Sequence, residues 1–299
     1  MASGIIAEKL TKYYGHEKVA ALDSLSFEVQ PGEVYGYLGA NGAGKSTTIR
    51  LLLNFLQPSS GTAQIAGLDI VKDSVEVKKR VGYLAGDVAL YQKTTGRELL
   101  NYLATLQGGV DGTYRKTLEK RFEAEVDKPI NTLSKGNRQK IGILQALMHQ
   151  PNVLILDEPT SGLDPLMQEA FYDSIREASD RGTAVLMSSH NLDETQRVCD
   201  RIGIIKHGKL IREQLVSDIS SLGVSTFSVT FRKHSAVDDI KKEKSLKLLE
   251  QTDSNAVKLQ PTGDIAPMLA ALSKYEIVAM KSQQGDLENE FLEFYGDDK

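Results

Sequence analysis

Apolar residues recur along the chain with two periods, and the order in which those periods alternate sets the expected fold class. Leu25, Phe27 and Val29 fall on one side of an extended segment while Ser26, Glu28 and Gln30 fall on the other, the pattern of a half-buried strand. Pro31-Gly32 marks a turn, residues 33–38 form an apolar strand, and residues 45–55 read as a helix. Short strands are expected at 62–66 and Val81–Leu84. Between Thr95 and Met148 the spacing becomes helical, over 97–106, 114–125 and 135–148. Strands resume at Val153, Ala184 and Ile202, separated by helices over 165–179 and 191–199. This alternation predicts an α/β parallel sheet interrupted by a helical insertion. From about Leu215 the chain turns rich in lysine and glutamate, with strands expected at Thr226–Phe231, 257–259 and 277–280 and helices at 265–273 and 287–294. The expected organisation is a large domain over 1–214, holding a helical subdomain at about 89–148, and an accessory α+β domain over 215–299.

Composition narrows the class without specifying a chemistry. With 299 residues, 40% of them hydrophobic and 25% charged, the chain has room for two domains and a full core. A net charge of -4 provides no general attraction for nucleic acid. The basic cluster Lys78-Lys79-Arg80 reads as a solvated helix end. No run approaches the ~18 apolar residues of a membrane span. The first residues lack a charged segment followed by an apolar one, so no signal peptide is expected. Cys199 is the single cysteine, which excludes an internal disulfide and fits a reducing compartment. The five histidines show no zinc-ligand spacing.

Two stretches carry chemistry. Gly39-Ala40-Asn41-Gly42-Ala43-Gly44-Lys45-Ser46-Thr47 is a complete Gly-x-x-x-x-Gly-Lys-Ser/Thr phosphate cradle between a strand and a helix. Its glycines let successive backbone N–H groups surround a phosphate chain, and the following helix points its positive end at the same anion. Lys45 is expected to reach the β- and γ-phosphates and Ser46 to ligate magnesium. The second stretch, Val153-Leu154-Ile155-Leu156-Asp157-Glu158, is an apolar run ending in two carboxylates. A strand buried on both faces would deliver Asp157 at its carboxyl end, where ligands of open α/β sheets bind. Asp157 is expected to hold the magnesium, and Glu158 to polarise the attacking water.

With these motifs in order, the chain resembles the ATP-binding subunit of ABC transporters over about residues 4–212. Leu133-Ser134-Lys135-Gly136-Asn137 is similar to that family's signature, Ser161-Gly162-Leu163-Asp164 to its D-loop, and His190 to its switch histidine. Tyr14 stands where the family has the aromatic that stacks on adenine, with Tyr13 as a second candidate. The resemblance implies a P-loop NTPase (RecA-like) core with an antiparallel β subdomain and a helical insertion. It also implies ATP and Mg²⁺ as cofactors, with catalysis by Lys45, Glu158 and His190 and metal binding by Ser46 and Asp157. Nucleotide contacts are implied for Tyr14, Gly39, Asn41, Gly42, Ala43, Gly44, Lys45, Ser46 and Thr47. Nucleotide contacts are implied for Ser134, Gly136 and Asp164 as well, and a homodimer would complete each site with Ser134 and Gly136 from the opposite copy.

The pattern is most similar to bacterial ABC-2 type exporters, including drug and antibiotic efflux systems. It implies a separate transmembrane permease, no nucleic-acid partner, and a cytoplasmic protein attached to the inner face of the cell membrane through that permease. An importer ATPase and a soluble ATPase acting on nucleic acid or the ribosome are the alternatives. About 110 residues separate Lys45 from Asp157 without sustained heptads, unlike the coiled-coil insertions of repair ATPases.

Some residues carry two readings. Ser134 and Asp164-Pro165 also suit plain helix caps. Lys135, in place of the signature's first glycine, either adds charge near the nucleotide or is solvated. After strand Val81–Leu84, where the family commonly has Gln or Glu, the chain has Ala85-Gly86-Asp87. Either Asp87 substitutes there or the loop serves as a permease contact.

Overall fold

The computed structural model describes residues 4–15, 19–218, 226–240 and 243–283. The helix expected over 287–294 lies outside them. The chain divides into two compact units, Met1–Val216 and Ser217–Lys299.

The first unit opens with two long antiparallel strands, β1 (Ile5–Tyr14) and β2 (Val19–Val29). With β4 (Ser60–Ile65) and β5 (Leu68–Asp69) they form a sheet in the order β2-β1-β4-β5. The second sheet orders β10-β9-β3-β8-β7-β6: β3 is Val34–Leu38, β6 Val81–Leu84, β7 Val153–Asp157, β8 Ala184–Ser189, β9 Arg201–Lys206 and β10 Lys209–Leu215. Its neighbours pair in parallel except at β10, which closes the edge by an antiparallel hairpin. β3, β7 and β8 are almost wholly buried, which explains why their sequences are continuous apolar runs rather than alternations.

One core cluster unites Leu10, Phe27 and Ile65 of the antiparallel sheet, Tyr37, Ile155 and Leu186 of the parallel sheet, and Ile49 and Leu52 of helix α1 (Lys45–Leu52). Phe27 stacks on both Tyr35 and Tyr37, with ring centroids 5.7 and 5.6 Å away. Helix α2 (Ser74–Arg80) leads into β6. The insertion comprises α3 (Gly96–Leu106), α4 (Gly112–Arg121) and α5 (Lys135–Leu147). A reciprocal capping box between Thr95 and Glu98 starts α3. Arg121 joins α4 to α6 (Pro165–Asp180) through paired bonds of 2.8 Å to Glu177. Helix α7 (Leu192–Val198) follows β8.

Two helices stop earlier than the spacing predicts. α1 ends at Leu52 rather than 55, because Asn54 turns to a φ of 53°. α4 ends at Arg121 rather than 125, where Glu123 has a φ of 47°.

The second unit has its own core, built on Phe227, Val229, Phe231, Val257 and Leu259 beneath Val237, Ile240, Met268 and Leu272. Its elements run β11 (Thr226–Phe231), α8 (Ser235–Ile240), β12 (Leu246–Asp253), β13 (Ala256–Pro261), α9 (Ile265–Leu272) and β14 (Ile277–Gln283). The sheet order is β12-β13-β11-β14, antiparallel throughout, a split βαββαβ arrangement. Sequence reading missed β12 and α8.

Candidate nucleotide site

The carboxyl ends of β3, β6, β7 and β8 converge on an open cavity of about 540 Å³. This is the end of a parallel sheet at which ligands bind. Ala40, Asn41, Gly42, Gly44, Lys45, Ser46 and Thr47 line it from the loop after β3, Gly86 and Asp87 from the loop after β6, Asp157 and Glu158 from β7, and His190 from the end of β8.

The loop after β3 wraps this cavity because its glycines permit the turn. Gly42 and Gly44 have φ values of 85° and 116°, a region costly for any residue with a Cβ. A Cβ on Gly44 would also meet the Ala21 carbonyl at 2.9 Å. Gly44 caps α1 with no side-chain bond, so the first amides of α1 are free of side-chain caps and face the cavity end of the helix. Lys45, only 6% exposed, folds back to donate to the carbonyls of Gly39 and Ala40.

Four contacts on two carboxylates organise the chemistry. Asp157 accepts from Ser188 Oγ at 2.5 Å on one oxygen and from Ser46 Oγ at 3.3 Å on the other. Glu158 sits with Oε1 3.6 Å from Lys45 Nζ and Oε2 2.8 Å from His190 Nδ1. A carboxylate only accepts, so Nδ1 of His190 is the donor. Glu158 has a φ of 48°, and its N–H is held by both the carbonyl and the hydroxyl of Ser188. The chain thus turns sharply after Asp157 and sends the two carboxylates to different partners. Burial, and then the charge of Asp157, raise the phenol pKa of Tyr83 on neighbouring β6.

Gly86 lies against β7, where a Cβ would stand 3.3 Å from the Asp157 carbonyl and 3.6 Å from its carboxylate. Asp87 is exposed beside it in the same cavity. Among the described residues, no group of three or more His, Cys, Asp or Glu is arranged to hold a metal. The Ser46 hydroxyl and Asp157 carboxylate nevertheless fit magnesium, an ion that takes one or two protein oxygens and completes its shell with phosphates and water.

The remaining predicted residues lie outside the cavity lining. Gly39 contributes the carbonyl that receives Lys45, and Ala43 is buried beneath the loop. Tyr14 ends β1, 40% exposed, with Lys12 Nζ 5.7 Å from its ring; Tyr13 is equally exposed. Ser134 caps α5, accepting from the Asn137 N–H at 3.2 Å, and Asp164 caps α6, accepting from Met167 at 3.0 Å. Both caps are exposed. Gly136 abuts the D-loop, where a Cβ would stand 2.8 Å from the Gly162 carbonyl. Lys135 donates to Ser161 at 3.2 Å, tying the signature helix to a residue of the cavity wall. Asn137 turns back to Glu125, and its Oδ1 has no hydrogen-bond partner among the described residues.

Arg50 lines the cavity and was not foreseen. Its place four residues after Ser46 on α1, on the same helix face, was the available signal.

Comparison with known proteins agrees with this geometry. The family profile described as "ABC transporter" matches residues 22–161. The "Uncharacterized ABC transporter ATP-binding protein YhcH" of Bacillus subtilis is 34% identical over 93% of this chain and 92% of its own length. The "Linearmycin resistance ATP-binding protein LnrL" of the same organism is 31% identical over 97% of both chains. A solved "ATP binding subunit of ABC transporter" superposes with a TM-score of 0.67 at 28% identity, covering 73% of this chain and 92% of that one.

Proposed function

The chain belongs to the ABC transporter family as an ATP-binding subunit, and on that premise we propose that it powers solute export through a separate permease. It is an ATPase that uses ATP with Mg²⁺. The proposed form is a homodimer closed around two nucleotides, seated on the inner face of the cell membrane through its permease.

The observation that carries the reading is the single carboxylate of Glu158 held between Lys45 and His190 in the cavity walled by the phosphate loop. The backbone amides of residues 42–47 receive the phosphate chain, and Lys45 exchanges its carbonyl partners for β- and γ-phosphate oxygens. Ser46 and Asp157 hold magnesium, which neutralises charge developing on the phosphates. Ser188 orients Asp157 for that task by occupying its other oxygen. Glu158, released from Lys45, polarises the attacking water while His190 holds its second oxygen.

Ser134 and Gly136 do not line the cavity of their own chain. That supports a role opposite the γ-phosphate of a second copy, where the start of α5 supplies a positive helix end. ATP then favours the closed pair, and loss of the γ-phosphate reopens it. No helix among the described residues is long and apolar enough to cross a membrane; the proposed reading assigns the crossing to the separate permease. Export of a drug or antibiotic is favoured by similarity along nearly the whole chain to a protein named for linearmycin resistance.

The test is affinity capture of tagged Glu158→Gln protein from detergent-solubilised native membranes with ATP and Mg²⁺. Recovery of a multi-span membrane protein is the expected result. Ribosomes or DNA-bound proteins without a membrane partner would overturn the transport reading.

A further inference from the structure

Glu194 is a buried carboxylate that the hydrolysis scheme leaves unused. It lies on α7, four residues after His190, and is only 6% exposed. Both oxygens are occupied: Oε1 accepts from Thr160 Oγ1 at 2.8 Å and Oε2 from Ser189 Oγ at 2.6 Å. Thr160 stands two residues after Glu158, and Ser189 immediately precedes His190. The carboxylate therefore bridges the two backbone segments whose side chains meet at 2.8 Å in the Glu158–His190 pair.

The surroundings leave the bridge little freedom. Asn191 caps α7 by accepting from the Asp193 and Glu194 amides, which fixes the helix start. Ser189 Oγ accepts from the Asn191 N–H at 2.9 Å and donates to Glu194 at 2.6 Å, much the shorter of its two acceptors, the Asn191 carbonyl lying 3.3 Å away. On the opposite side the buried Gln139 of α5 donates to the Pro159 carbonyl at 2.7 Å, pinning the loop that Thr160 continues. Burial raises the carboxyl pKa of Glu194, and the bonds from Ser189 and Thr160 oppose that rise. A buried acid that costs free energy to ionise calls for a use, and here it is the shared acceptor of two hydroxyl donors.

We propose that Glu194 is a positioning residue for ATP hydrolysis: it clamps Thr160 to Ser189 and thereby sets the separation and alignment of Glu158 and His190. The inference rests on the assignment of Glu158 and His190 as the hydrolytic pair. Glutamine weakens the clamp, because its amide nitrogen only donates where the carboxylate accepted, so one of the two hydroxyls must turn its hydrogen away and accept instead. Alanine removes both acceptors and leaves a cavity as well. Displacement of a reacting group by about 1 Å costs up to ~100-fold in rate, so loss of the clamp acts on turnover rather than on nucleotide affinity.

The experiment compares kcat and KM for ATP in wild type, Glu194→Gln, His190→Ala and the double variant, with Glu158→Gln as a control. For Glu194→Gln the expected result is a fall in kcat of about tenfold or more at a KM within about twofold of wild type. In the His190→Ala background the same substitution is expected to cost little further, because the pair it aligns is already broken. Wild-type kcat in Glu194→Gln, a raised KM at unchanged kcat, or losses that multiply in the double variant would each overturn the clamp. If Glu194→Gln does not fold, Thr160→Val removes one donor and carries the same two readouts. Wild-type turnover in Glu158→Gln or His190→Ala would instead remove the hydrolytic pair itself. Slow controls beside a fast Glu194→Gln would remove the clamp alone.

Discussion

Oε2 of Glu158 stands 2.8 Å from Nδ1 of His190, while Oε1 of the same carboxylate faces Lys45 Nζ at 3.6 Å. One acid thus spans His190 and the phosphate-loop lysine. The Lys45 contact is the one that phosphate oxygens can take over, since they are the stronger partners for a buried ammonium. Glu158→Gln keeps the shape and removes the base. It is expected to bind ATP as wild type does, measured by equilibrium nucleotide binding, and to lose about 10²- to 10⁴-fold in turnover.

Magnesium dependence provides a second check. Chelation is expected to abolish turnover, and Ser46→Ala to raise the Mg²⁺ concentration required for half-maximal rate, because one of the two protein oxygens at the site is gone. Titration of phosphate release against Mg²⁺ measures both. An unchanged midpoint in Ser46→Ala would remove the hydroxyl from the metal site.

The junction between signature and D-loop has no spare room. A methyl at Gly136 would meet the Gly162 carbonyl at 2.8 Å, so Gly136→Ala must push residues 161–164 away from α5. The expected cost is about 1–3 kcal/mol of stability by overpacking, read as a lower melting temperature, with turnover reduced about tenfold. Retained turnover would mean that the two loops move without consequence.

Tyr14 and Tyr13 are equally exposed at the end of β1, and single substitutions separate them. Stacking on a base contributes roughly 1–3 kcal/mol. Tyr14→Ala is therefore expected to raise KM for ATP by about fivefold or more, and Tyr14→Phe to retain wild-type affinity. A rise confined to Tyr13→Ala would transfer the role to that residue.

The α4–α6 link titrates. The paired bonds from Arg121 hold the Glu177 carboxyl below its ordinary value of 4.5. A depressed pKa stabilises the fold above the unfolded value and loses that contribution as pH falls through the folded one. Glu177 is 43% exposed, so the link contributes at most about 1 kcal/mol. Melting temperatures of wild type and Glu177→Gln are expected to differ at pH 7 and to converge as pH drops below 4.5. A constant difference down to acid pH would show that shape, not charge, sets the effect.

Where backbone approach dictates residue type, the sequence was legible. Gly42 and Gly44 stand where only glycine turns cheaply, and the apolar run of β7 marks a strand covered on both faces. These patterns suffice to bring Lys45, Ser46, Asp157, Glu158 and His190 around one cavity. Legibility failed where an edge strand carries charge. In β12, Lys247, Glu250 and Asp253 face water at the sheet margin, so the alternation that identifies a strand is absent. It failed again at Glu194, because a glutamate on a short helix reads as solvated until its two hydroxyl donors are seen to come from distant segments. Arg50 was overlooked although its spacing of four from Ser46 puts both on one face of α1, because that spacing alone does not separate a cavity wall from an open surface.

Every strand of the βαββαβ unit pairs within that unit, and every strand of the two preceding sheets pairs among β1–β10. Among the described residues no ladder is shared across Val216, so neither half takes a described strand from the other. Insertions, losses or exchanges beyond that residue therefore leave the ladders of the two preceding sheets as they are. The strands that present Lys45, Asp157 and His190 are thus held entirely by ladders that precede Val216.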